Sequence, residues 1–143
     1  MSRSEKAKLR ELIERIERET SGEISVVLLH DAHEPRKFAL DHFNHLGIGK
    51  KELDNGVLIL VVLGTRRIEL VVGHGLQERI PQTFFQRLID EALAPHFRDG
   101  KIGEGLYHAV EALGHVLAEV RPHTPPHSQH SPGVVDLDLD THR

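Results

Sequence analysis

Val57 to Leu63, VLILVVL, is the stretch that most narrows what this chain folds into. It is an uninterrupted apolar run rich in β-branched residues, with no polar face to leave in water. It is far short of the ~20 residues that span a bilayer. Such a run reads as a strand covered on both faces. Gly64-Thr65 breaks it, and Arg66 to Val72, RRIELVV, reads as a second strand. The loop GIGKKELDNG, from Gly47 to Gly56, leads into the pair, and Gly73-His74-Gly75 closes it. Polar loops on a rigid sheet are where chemistry tends to sit.

A strand hidden on both faces needs helices in front of it and behind it. Ser2 with Glu5 is a capping box, and Leu9, Leu12, Ile13 and Ile16 follow at helical spacing. This predicts a helix from about Glu5 to Glu19, stopped by Thr20-Ser21-Gly22. Glu23 to Leu29, EISVVLL, reads as a strand buried on both faces. Pro35 opens a second helix, with Phe38, Ala39, His42, Phe43 and Leu46 on one face and Gly47 and Gly49 at its end. Pro81 opens a third helix carrying Phe84, Phe85, Leu88, Ile89, Ala92 and Leu93, which Pro95 kinks or ends. Leu106, Val110, Leu113, Leu117 and Val120 carry a last helix. The order α-β-α-β-β-α-α predicts an α/β fold, a three-layer α/β/α sandwich around a small mixed sheet. Its first two strands would be parallel, with the third antiparallel to its neighbour.

From Arg121 the composition changes. Residues 121–143 hold four of the seven prolines and four of the twelve histidines, without a helical period. The expectation is a folded domain over 1–120 and a mostly disordered Pro/His-rich tail over 121–143. Within the tail, Val134 to Asp140 alternates acid and apolar. It reads either as a solvated end or as an edge strand offered to a neighbour. His123, His127 and His130 would bind metal only adventitiously, because the prolines oppose a helix there.

A chain of 143 residues is one domain of ordinary size. Its net charge of -4 argues against a nucleic-acid partner. The absence of cysteine excludes disulfides, thiolate metal sites and a cysteine nucleophile. The start has no apolar secretory core and no run is long enough to insert in a membrane, so the sequence as given reads as cytoplasmic. No fingerprint of an organic cofactor is present. A protein partner is compatible with the pattern, and the oligomeric state is not legible.

The candidate chemistry sits in short polar motifs. Asp54-Asn55-Gly56 offers oxygens to a cation, or is simply an Asx turn. Gly47-Ile48-Gly49-Lys50-Lys51 offers N–H groups and two cations to a phosphate, or is a helix cap followed by solvated lysines. His74, between glycines at a strand end, would serve as general acid or ligand. Asp90 lies beside the apolar residues of the third helix, facing a site or paired with Arg98.

These residues carry a resemblance. GIGKKELDNGVLILV, RRIELVVGHGLQERI and LIDEALAPHFRDGKIGEGL, with the closing apolar helix, resemble the TPM-domain family over roughly residues 4–120. Its members include a thylakoid-lumen acid phosphatase, a photosystem II repair protein and a nematode receptor modulator, and are commonly exported or membrane-anchored. The resemblance implies an α/β/α sandwich, phosphatase activity in some members, and a divalent cation, typically Ca2+, held by acidic loop residues. Asp54 matches the family's D-N-G aspartate and Asp90 its I-D-E aspartate; Pro95, Phe97, Arg98 and Gly100 match P-x-F-R-x-G. His74 stands where a tyrosine is usual, and Gln77 replaces a glutamate that Glu78 then follows. Pro81-Gln82 takes the place of Leu-Thr-Asp, and Lys101 replaces an aspartate. Three of these four departures remove an acid, and hard cations want several oxygen ligands.

Two function classes follow. In the first, a metal-dependent phosphomonoesterase, Asp54, Asp90 and Glu78 hold the ion. His74 and Asp54 carry the catalysis, and Lys50 and Lys51 meet the phosphate. The second is a non-catalytic calcium- or partner-binding module with a degenerate metal site.

Overall fold

The structure, a computed structural model, describes residues 1–46, 55–120 and 133–138. Helix α1 spans Arg3–Thr20 and starts as its first residues dictate. The Ser2 hydroxyl accepts from the Glu5 N–H at 3.0 Å, and the Glu5 carboxylate accepts from the Ser2 N–H at 3.0 Å. It ends where Ser21 turns left-handed at φ 68°, its N–H bonded to the Glu17 carbonyl at 2.8 Å. Gly22 follows in close contact with Leu117: a Cβ there would lie 2.7 Å from Leu117 Cδ1, and that side chain would have to shift.

Strand β1 (Glu23–Leu29), helix α2 (Pro35–Leu46), and strands β2 (Gly56–Val62) and β3 (Arg67–Val72) follow. Helices α3 (His74–Gln77), α4 (Gln82–Arg87), α5 (Ala94–Arg98) and α6 (Ile102–Glu119) complete the domain, and β4 (Gly133–Asp138) closes the described chain. The sheet order is β1-β2-β3-β4. β1 and β2 are parallel, with Glu23 opposite Gly56. β2 and β3 are antiparallel, with Val57 opposite Val72. β3 and β4 are also antiparallel, with Arg67 opposite Asp138.

The pleat sorts the strands' side chains into two cores. Ile24, Val57, Ile59, Val61, Ile68, Leu70 and Val72 pack with α1, α6 and the helices between β3 and α6. Leu58, Leu60, Val62 and Val71 pack against Ala39 and Phe43 of α2. Every residue of β2 is buried, as expected of a central strand under helices on both sides. This is the α/β/α sandwich that the element order predicted.

Two expectations need correction. β1 is not buried on both faces: apart from Ile24 it is half-buried, because it lies at the sheet's edge. The chain past Pro81 keeps turning through Pro95. A π-helical turn, Leu88–Leu93, joins α4 to α5 and bonds the Ala94 N–H five residues back to Ile89. That places Pro95 in the first turn of α5, where its missing N–H costs least. Residues 133–138 pair with β3 of this same chain.

Candidate functional site

Two of the motifs singled out by sequence, Asn55-Gly56 and Gly73-His74, meet at one end of the sheet, where β1 and β2 begin and β3 ends. Gly73 donates its N–H to the Gly56 carbonyl at 2.8 Å, so Asn55-Gly56 and Gly73-His74 lie side by side. Asn55 is buried, and its side-chain amide donates to the Ser21 carbonyl at 2.6 Å. The Asn55 carbonyl accepts from the Glu23 N–H at 3.3 Å. Asn55 therefore ties the starts of β1 and β2 together, a structural task. Asp54, Lys50 and Lys51 lie outside the described residues.

Gly73-His74-Gly75 is not a loop but the start of a helix: His74 is the first residue of α3. Its Nε2 lies 3.3 Å from Glu78 Oε2, one turn on, and both side chains are partly exposed. That pair bears charge on both members only when the imidazole is protonated. Buried Leu76 anchors the turn, and the Gln77 side chain donates to the Val72 carbonyl at 2.9 Å. A glutamate could not donate that bond. Gln77 thus clamps the end of β3.

Asp90 falls in the π-helical turn and is exposed, accepting from Gln86 Nε2 at 3.2 Å. Its described partner is thus Gln86 and not Arg98. Glu91 beside it pairs with Arg87 at 3.4 Å. Both acids are held one turn back along their own helix and face solvent. Among the described residues, no three His, Asp or Glu side chains come together as a metal site. Calcium takes about six to eight oxygens. Glu78 and Asp90, each engaged on its own helix, do not supply such a shell, so the described residues do not fit that ion by themselves.

The sequence reading missed one polar group. Glu69, in β3, is fully buried on the α2 side and bonded by Arg67 at 2.6 Å. Its other oxygen, Oε1, has no hydrogen-bond partner. Burial pushes its carboxyl above the usual range, partly offset by the hydrogen bond and charge of Arg67 and by the charge of Arg36. The available signal was the Arg67-Ile68-Glu69 spacing, which puts the two charges on one face of a strand. An open cleft of about 440 Å3 lies alongside, lined by residues of α2 together with Arg67.

The chain belongs to the TPM-domain family, whose model matches residues 1–116. Solved structures agree. The N-terminal domain of a protein from P. gingivalis is 28% identical with a TM-score of 0.73, covering 86% of this chain and 82% of that one. The BA42 protein of the psychrophilic bacterium Bizionia argentinensis is 25% identical with a TM-score of 0.75, covering 85% and 84%. The N-terminal domain of the cg2496 protein of Corynebacterium glutamicum, 14% identical with a TM-score of 0.62, covers 91% and 82% and shares the fold. No curated protein matches. No helix among the described residues is long and apolar enough to cross a membrane.

Proposed function

We propose that this TPM domain binds a ligand rather than transforming one, at the sheet end where Asn55-Gly56 meets Gly73-His74. Asp54 is the principal carboxylate for a divalent cation, calcium first. The observation that carries this reading is the dispersal of the remaining acids. Asp90 is held by Gln86 and Glu78 is held with His74, so neither is gathered toward a common ion. A site with one committed carboxylate binds a hard cation weakly, in the range of about 10⁻⁴–10⁻³ M known for weak calcium modules. Calorimetric titration with calcium tests it. Asp54→Asn is expected to abolish binding, whereas Asp90→Asn is expected to leave it unchanged, since Asp90 is held by Gln86 on its own helix. A wild-type chain that takes no calcium overturns the cation part of the reading.

Phosphomonoester hydrolysis is the second reading, favoured by the His74–Glu78 pair. A carboxylate 3.3 Å from an imidazole at a strand end orients it as a general acid toward a leaving oxygen. Asp54 would hold the metal, and Lys50 and Lys51 would meet the phosphate. Turnover of p-nitrophenyl phosphate is measured across pH with calcium, magnesium or zinc. Activity lost by about 10²-fold or more in His74→Ala would establish this second reading. Activity no higher than buffer under any condition leaves the binding module.

A further inference from the structure

We infer that the open edge of β1 is a self-association surface, on which a second copy of this chain pairs its own β1 antiparallel about a two-fold axis through Val26. The inference does not rest on the reading of the site at the sheet end. It starts from backbone parity. The Glu23 N–H bonds the Asn55 carbonyl, and the Leu29 carbonyl accepts from the Leu63 N–H. Glu23, Ser25, Val27 and Leu29 therefore spend their backbone groups on β2. Ile24, Val26 and Leu28 turn both N–H and C=O away from it, to a side where no described strand pairs.

Such an edge is normally blunted by lysine, proline, a bulge or a covering loop. EISVVLL carries no lysine or proline, and its ladder to β2 is regular from Glu23 to Leu29. Beside it runs a groove of about 690 Å3 between α1 and β1, with Leu9, Ile13, Ile24, Val26 and Leu28 among its lining. Leu63, the large hydrophobic exposed among the described residues at 38%, lines the same groove. Hydrogen-bonding capacity, apolar surface and length thus coincide on one edge.

The occupant follows from self-complementarity. Antiparallel pairing about Val26 sets Ile24 against Leu28 of the second copy and Val26 against its own counterpart. Every outward N–H and C=O of the three residues then meets a partner. The groove's charged residues are Lys6, Arg10 and Glu14 on α1. Helix and strand are joined by a two-residue turn and so run in opposite directions. Lys6 and Arg10 therefore lie toward the β1 C-terminal end, and Glu14 toward its N-terminal end. The two-fold axis brings the cationic end of one helix to the acidic end of the other. One strand and one helix flank make a small interface, so the dimer is micromolar or weaker.

Light scattering on the full chain over a concentration series reads the result. The mass is expected to rise from 16.1 kDa toward twice that value. Hydrogen exchange adds a residue-level signature: amides of Ile24, Val26 and Leu28 gain protection with concentration, while Ser25, Val27 and Leu29 are protected throughout. Val26→Pro removes an outward N–H without costing a bond to β2, and should leave a folded monomer. Arg10→Glu is expected to weaken the dimer about tenfold, and Arg10→Glu with Glu14→Arg to restore it. A monomer at every concentration overturns the inference. So does a dimer in which the even-numbered amides gain no protection and the charge variants have no effect.

Discussion

At the scale of single residues, Glu69 has the most to say about how this chain uses charge. A carboxylate enclosed by α2 and the sheet is stabilised by Arg67 but penalised by desolvation, and the second effect is the larger. Its folded titration therefore lies above its unfolded one. The stability it contributes is fully present below the unfolded titration and is lost as pH rises through the folded one. Glu69→Gln is expected to gain stability relative to wild type as pH rises through the titration of Glu69, and urea unfolding at acid and at neutral pH measures it. Of the candidate site residues, His74 and Glu78 were legible as types at a strand end, but not as a pair. Only the helical turn of α3 brings residues four apart into contact. Asp90 was legible as an acid beside an apolar face, yet it points to solvent, held by Gln86 four residues earlier on its own helix.

Among elements, local rules govern the ends and long-range pairing governs the exposure. The capping box that starts α1 is written in Ser2 and Glu5, and the structure forms both of its bonds. Ser2→Ala should cost about 1 kcal/mol, read by thermal or urea unfolding. β2 shows the other regime. Its sequence alone declares burial on both faces, and the sheet order places it between β1 and β3 with helices on either side. β1 has much the same composition and stands at the edge, because nothing in EISVVLL states how many neighbours it will have. A Pro/His-rich stretch likewise masked β4: its alternation specified a strand, but not whose sheet it would join.

Taken as a whole, the molecule rests on β2, the strand that belongs to both cores at once. Leu60 faces α2 and is fully buried, so Leu60→Ala should destabilise by about 2–5 kcal/mol. Equilibrium denaturation is expected to show that loss as one cooperative transition, because the two cores share the sheet. The sequence by itself determined the four longer helical segments, strands β1 to β3, the layer architecture and the family. Each depends on periodicity and local backbone chemistry, which neighbouring residues carry in full. Tertiary structure alone decided that β1 stands at one edge of the sheet among the described residues and that β4 pairs with β3 on the other side. It also decided that Glu69 is sealed under α2 and that the acids near the sheet end are dispersed. Those outcomes depend on which surfaces meet across the chain, and a linear pattern of apolar and charged residues does not encode its own neighbours.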